Sequence, residues 1–343
     1  MKDAEENMLT IGVIGAGYWG KNIIRAFNNL KSVKLKYIVD SDQDVLNKFK
    51  NLYDVEKLKD YKKILQDEDV DAVAVVTSAH THFDIAKDCL LAGKHVFVEK
   101  PMTLKVEHAQ ELVNLAEEKN LKLMVGHLLL YHPCINTLKE FIDKEEIGKP
   151  FYIYCDRLNL GKIRKDENAL LSLAPHDISV AIYLFGENPL SVSAYGQCYL
   201  QKDIEDVVFL NMLFPGNKIA HIHVSWLDPH KVRRTTVVGS KKMIVFDDME
   251  PREKVKVYDK GFDMTKNYDS YDEFLQIRDG DIHIPAVKMS EPLKLECEHF
   301  LKSIEEDFIP RSDGYNGLAV TQVLDAGIKS IKNSGIPVKI GEK

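Results

Sequence analysis

Ile14-Gly15-Ala16-Gly17-Tyr18-Trp19-Gly20 decides the fold of this chain. An apolar run, Met8 to Ile14, enters the stretch, and Lys21 to Leu30 leaves it with helical spacing at Ile23, Ile24 and Phe27. The glycines form a complete GxGxxG. Gly15 permits the tight turn, Gly17 lets the backbone approach a pyrophosphate, and Gly20 lets the helix pack close to the sheet. The pyrophosphate would rest on the helix N-terminus, where free amides and the dipole favour anions. A second strand, Lys34 to Val39, ends in Asp40, twenty residues past Gly20. A carboxylate there accepts hydrogen bonds from an adenosine ribose diol and repels a 2′-phosphate, so the expected cofactor is NAD. Tyr18, Trp19 and Asp40 join the three glycines as expected cofactor contacts.

Outward from this stretch, Asp71 to Thr77 is a run of valines and alanines suited to a central parallel strand. Thr77 and Ser78 follow it and line the expected groove, with His82 in the first turn of the next helix. The run His95 to Val98 reads as another buried strand and opens onto Glu99-Lys100-Pro101. A lysine at the C-terminal lip of such a strand faces the crevice where open α/β sheets bind ligands. Pro101 ends the strand by removing a backbone donor. Glu99, Lys100 and Pro101 complete the expected cofactor groove. Thr103 is read as the cap of a helix running to about Lys119. Lys122 to Val125, ending in Gly126-His127, is the last strand of a doubly wound parallel sheet, residues 1–127.

The rhythm changes over residues 128–343. Pro133 suits a first helical position, and Phe151 to Leu160 alternates as a half-exposed strand does. A polar, basic loop, Gly161 to Asn168, leads to a helix, Ala169 to Phe185, that contains Ala174-Pro175-His176-Asp177. Alternating strands follow at Leu190–Leu200, Val207–Phe214, Lys218–Leu227, Val232–Val238, Met243–Asp247 and Lys254–Tyr258. Residues 263–292 carry no assignable pattern, and helices at Leu293–Glu305 and Tyr315–Asn333 close the chain. The expected class is α/β: a Rossmann domain, then an α/β domain with a large, mainly antiparallel open sheet.

Composition narrows the function. With 45% hydrophobic and 29% charged residues among 343, the chain buries a core and is not disordered. A net charge of -7 gives no global reason to bind nucleic acid or an anionic membrane. No apolar run approaches the ~20 residues that span a bilayer, and Met1 to Asn7 is polar and acidic, without a signal-peptide core. Five scattered cysteines without CxxC spacing read as reduced thiols. These features together suggest a cytoplasmic protein without a metal.

Three segments resemble the glucose–fructose oxidoreductase, inositol dehydrogenase and rhizopine-catabolism (Gfo/Idh/MocA) family. They are Gly15 to Gly20, then Ala92-Gly93-Lys94-His95-Val96 running into Glu99-Lys100-Pro101, and His176-Asp177. The resemblance spans nearly the whole chain. It implies oxidation or reduction of a hydroxyl on a sugar, cyclitol or nucleotide-linked sugar with NAD(P). It also implies a homo-oligomer, a dimer or tetramer, packed through the open sheet. Lys100 matches the family lysine that holds the reacting hydroxyl, and His176 matches the histidine that many members use as general base. Those members carry an aspartate four residues earlier, where this chain has Ser172. Others use a tyrosine near this place, so the acid/base assignment varies by branch. Tyr131-His132-Pro133, Ala174 to Asp177 and Ser225-Trp226 with Lys231 also look like the UDP-N-acetylaminouronate 3-dehydrogenases, a branch that would place the protein in polysaccharide biosynthesis.

The residues permit that chemistry. Oxidising a secondary alcohol removes a proton from oxygen and a hydride from carbon. Lys100 would put positive charge where alkoxide character develops. A histidine with a pKa near ~6.5 exchanges protons near neutrality, although His176 taken alone reads first as a packing or surface histidine. Arg157, Asn159, Lys162, Arg164 and Lys165 read as an anion clamp or a solvated loop, with Tyr131 as a further substrate contact. Trp226 with Lys231, Arg233 and Arg234 reads as packing and interface. The expected function is an NAD-dependent dehydrogenase of a nucleotide-linked sugar. The alternatives are an inositol or free-sugar dehydrogenase and a non-catalytic NAD-binding regulator, the latter disfavoured by the presence of both Lys100 and His176.

Overall fold

The valine and alanine run of the first half becomes strand Ala72–Val75, fully buried on both faces, as a strand covered by helices on two sides must be. In the computed structural model, which describes residues 8–161, 163–164, 167–264 and 275–341, it lies inside a six-stranded sheet. Met1–Asn7, Lys162 and Lys165 lie outside the described residues. The strands are β1 (Leu9–Ile14), β2 (Val33–Val39), β3 (Glu56–Leu58), β4 (Ala72–Val75), β5 (His95–Val98) and β6 (Leu123–Val125), in the order β3-β2-β1-β4-β5-β6. Every pairing among them is parallel. The order reverses between β1 and β4, so a crevice opens there at the C-terminal edge. Strand β3 has three residues, too few to display a period, and sequence reading passes over it. Thr103 does not cap the following helix, Val106–Glu118. Lys105 occupies the N-cap position, and the Thr103 hydroxyl donates to the Lys105 carbonyl instead.

The second sheet has nine strands: β7 (Pro150–Leu158), β8 (Ser191–Gln197), β9 (Val207–Phe214), β10 (Lys218–Ser225), β11 (Val232–Gly239), β12 (Met243–Asp247), β13 (Val255–Met264), β14 (Leu275–His283) and β15 (Val338–Lys339). Their order is β14-β13-β12-β11-β7-β10-β9-β8-β15, parallel only where β7 meets β10. Strand β14 falls where the sequence carries no readable pattern. Its exposed side chains include Ile277 and Ile282 beside charged Asp279 and Asp281, so hydrophobicity does not alternate with one buried face. The apolar helix Ala169–Phe185 covers one face of the sheet, over β7, β9 and β10.

The chain divides into two compact units. One runs to Tyr131 and takes in Ser290–Thr321; the other is His132–Met289 with the chain from Gln322 onward. A division at residue 127 assigns everything later to the second domain, whereas Ser290–Thr321 packs with the first. Helix Pro292–Glu305 supplies the reason: Phe300 lies edge-on to Phe97 of β5, and both are fully buried. No helix among the described residues is long and apolar enough to cross a membrane.

Candidate active site

The ladder bonds of the parallel sheet set up the C-terminal lip of the first unit. Val76 donates to Ile14, Glu99 to Val75, and Gly126 to Val98. The residues after β1, β4, β5 and β6 therefore stand in a row: Gly15, Thr77, Lys100 and His127. Gly15 has φ +98°, and a Cβ there would meet the Val76 carbonyl at 2.6 Å. A Cβ on Gly20 would lie 2.1 Å from the Gly15 oxygen, so the helix Gly20–Asn28 can start only with glycine. Gly17 faces open space, with nothing within 4 Å of an added Cβ, which leaves the room a pyrophosphate needs. Asp40 braces the turn: it accepts from the Ala16 amide at 2.8 Å and the Asp42 amide at 3.0 Å. Tyr18 is 86% exposed at the mouth of this cradle. Thr77 shares a hydroxyl contact with Thr81 at 2.7 Å, and Ser78 holds the N-cap position of helix Ala79–Leu91. The residues present fit NAD.

Several expected contacts have internal roles instead. His82 is buried, with Nδ1 2.9 Å from the Pro101 carbonyl and Nε2 3.1 Å from that of Thr77. Burial holds its pKa down, and the neutral ring has one N–H, so it donates to one of these two carbonyls. Glu99 is buried too, accepting from the Trp19 indole N–H and, at 3.1 Å, from the Lys100 amide. It braces the glycine turn against the Lys100 loop, and Pro101 is buried beside it. Tyr131 belongs to the core: its hydroxyl lies 2.9 Å from that of Ser312, and burial pushes its pKa up. These three side chains point inward because the lip needs polar groups to tie its loops, and a sequence without contacts shows only that they are polar.

Beneath Glu99 lies a residue that sequence reading misses. Glu296, on helix Pro292–Glu305, is fully buried, and neither carboxylate oxygen has a partner among the described residues. Burial first, and the charge of Glu99 second, hold its pKa well above the usual carboxyl range. The folded state thus keeps a proton that the unfolded chain releases above about pH 4.5. Stability from this group falls as pH rises towards the folded pKa, by about 1.4 kcal/mol per pH unit. Glu296→Gln is expected to remove that slope. Denaturation midpoints of variant and wild type should diverge in the variant's favour as pH rises above about 4.5, and parallel curves would refute it.

In the second unit, helix Ala169–Phe185 carries His176 half-exposed and Asp177 buried. Asp177 holds Arg157 of β7 in a bidentate pair, Nε to Oδ2 at 2.6 Å and Nη2 to Oδ1 at 2.9 Å. Arg157 is only 7% exposed. It is therefore a strut between sheet and helix, and the expectation that it clamps a substrate anion is corrected. Its strand position turns it towards the helix, and sequence spacing alone does not pair it with Asp177. Arg164 pairs with Glu167 at 2.7 Å on the surface. Asn159 is half-buried, its amide bonded to the Ser225 carbonyl at 3.2 Å. Ser172, in place of the family aspartate, is buried. Trp226 is buried as expected. Arg233 lies opposite Arg157 in the β7–β11 ladder; its carbonyl accepts from the Asp248 amide at 2.9 Å, and its guanidinium has no hydrogen-bond or ion-pair partner among the described residues.

A glycine cradle at a topological switch point, with a lysine on the same sheet edge, defines an NAD-binding protein of the oxidoreductase class. Residues 9–127 match the model of the oxidoreductase family's NAD-binding Rossmann fold, and residues 135–245 match the C-terminal domain of the same Gfo/Idh/MocA family. The chain belongs to the Gfo/Idh/MocA oxidoreductase family. It is 32% identical over 170 residues to the UDP-N-acetylglucosamine 3-dehydrogenase of Acidithiobacillus ferrooxidans, a match spanning 49% of this chain and about half (53%) of the relative. It is 28% identical over 304 residues to the myo-inositol 2-dehydrogenase of Thermotoga maritima, covering 83% of this chain and 90% of the relative. The solved structure of the Acidithiobacillus enzyme shares the fold, with TM-score 0.79 at 24% identity over 95% of this chain and 98% of that one.

Proposed function

We propose that this chain is an NAD-dependent dehydrogenase of a secondary hydroxyl on a sugar derivative, with Lys100 and His176 acting on that hydroxyl. The observation that carries the reading is the position of Lys100, leaving β5 on the same sheet edge as the glycine cradle. Bound NAD supplies the hydride acceptor. The Lys100 ammonium stabilises negative charge growing on the oxygen. His176, half-exposed on its helix, takes the hydroxyl proton.

The preferred substrate is a nucleotide-linked sugar. Likeness to a UDP-sugar dehydrogenase supports this, as does Arg233, whose guanidinium is a bidentate donor for phosphate or carboxylate. The internal pairing of Arg157 and the surface pairing of Arg164 favour a second reading, a free sugar or inositol, which needs no anion site. Comparison of kcat/KM for UDP-sugars, UDP-sugar acids, free sugars and inositols separates them. Arg233→Ala is expected to weaken UDP-linked substrates about tenfold or more while leaving inositol unchanged. Best turnover of free polyols, with Arg233→Ala silent, refutes the nucleotide-sugar reading.

The second sheet also supports self-association. The face away from helix Ala169–Phe185 presents Tyr152, Ile219 and Leu213 in register, with Phe209 beside Tyr195, all more than 40% exposed. An uncovered apolar face of this kind fits a second copy of the chain. Light scattering should give a multiple of the 39.1 kDa chain mass, and a single chain mass at micromolar concentration refutes the assembly.

A further inference from the structure

His127 closes β6 on the lip and takes no part in the chemistry proposed above. Its ring is fully buried. Nδ1 lies 2.6 Å from the Asn316 amide oxygen, an acceptor, so the ring proton sits on Nδ1. That leaves Nε2 as a bare lone pair, buried, with no partner among the described residues. The Asn316 backbone N–H donates in turn to the Asp313 carboxylate at 2.8 Å. The sheet puts Lys100 beside His127 along the lip. Val125 pairs with Val98, and Gly126 donates to the Val98 carbonyl, so His127 follows β6 where Lys100 follows β5. Burial first, then Asn316 and the charge of Lys100, set the ring's pKa at about 4, so it is neutral near pH 7.

We propose that His127 is a positioning residue. Its Nε2 lone pair accepts a hydrogen bond from the Lys100 ammonium during turnover and aims that ammonium at the reacting hydroxyl, with Asn316 fixing the tautomer. A buried acceptor without a partner costs stability, and a lysine that must stay charged and aimed needs a neutral acceptor. A protonated ring, or one with its proton on Nε2, would repel it. The inference rests on the dehydrogenase reading.

The experiment has two arms. In the first, reduction of NAD is followed with UDP-N-acetylglucosamine and with myo-inositol. His127→Leu should lower kcat about 10- to 100-fold while NAD affinity, read by fluorescence quenching, stays within about twofold. His127→Gln, which returns an acceptor to the position of Nε2, should recover most of that loss. Asn316→Ala, which frees the tautomer, should lower kcat in the same direction, and it carries this arm if His127→Leu fails to fold. Wild-type kcat in Asn316→Ala, or equal impairment of His127→Leu and His127→Gln with lowered melting points, marks a packing histidine and overturns the proposal. In the second arm, nitrogen-15 spectra of histidine-labelled protein at pH 7 should show His127 protonated at Nδ1 alone, with its Nε2 resonance moved by Lys100→Met. A proton on Nε2, or no movement in the complex with NAD and a non-reacting substrate analogue, overturns it without any turnover. A wild type inert towards both sugars counts instead against the dehydrogenase reading.

Discussion

Lys100→Met is expected to lower turnover by at least about a hundredfold and to leave NAD binding within a few-fold of wild type. The methionine keeps most of the lysine's length and removes its charge, so the lost quantity is stabilisation of the developing alkoxide. The glycine cradle is built without Lys100. Gly15, Gly20 and Asp40 hold it through the Val76 and Ala16 backbones, and Trp19 and Glu99 brace it. That independence is why cofactor affinity should survive. His176→Ala is expected to cost a comparable factor in kcat. The acidic limb of its pH–rate profile should vanish, since the limb reports protonation of the base. Stopped-flow measurement of the first turnover separates chemistry from product release. Near-native single-turnover rates in either variant would remove that residue from the proposed pair.

The largest effect on stability is expected at Arg157. Replacing it with alanine leaves the Asp177 carboxylate buried at 2% exposure without its bidentate partner. Breaking such a pair from one side costs about 3–5 kcal/mol, because the remaining charge stays out of water. Removing both charges, as in Arg157→Met with Asp177→Leu, should cost far less, since neither group then suffers uncompensated desolvation. The sequence has two tryptophans, Trp19 in the first unit and Trp226 buried in the second. In a Trp19→Phe background, Trp226 reports the second unit alone during chemical denaturation. An Arg157→Ala midpoint equal to that of the double variant would show that the pair carries no buried charge. The same variant separates strut from clamp: as a strut, Arg157 changes the midpoint and every substrate suffers alike.

The first sheet was legible because its signals are local. Glycines with fixed spacing, valine runs buried on both faces and an acidic residue ending β2 each report their surroundings without a long-range partner. The antiparallel strands from β8 to β12 were legible for the same reason, since one buried face imposes a period of two. Strand β14 and the three-residue β3 lack that imprint and appear only when paired.

At the site, residue type and position along the chain determined that Gly15, Gly17, Gly20, Asp40 and Lys100 stand at strand ends on one edge. Which polar side chains face the crevice and which face the interior was decided by tertiary structure alone. Glu99, His82, Tyr131 and Arg157 look like ligand contacts in a string of letters. Each is instead drawn inward by a partner distant in sequence: Trp19, Pro101, Ser312 and Asp177. The physical reason is the cost of burying an unmatched polar group. A buried donor or charge must find its complement wherever the chain brings one, and that meeting is a property of packing across many residues. Glu296 and His127 are the converse, buried groups whose unmatched atoms no local pattern announces.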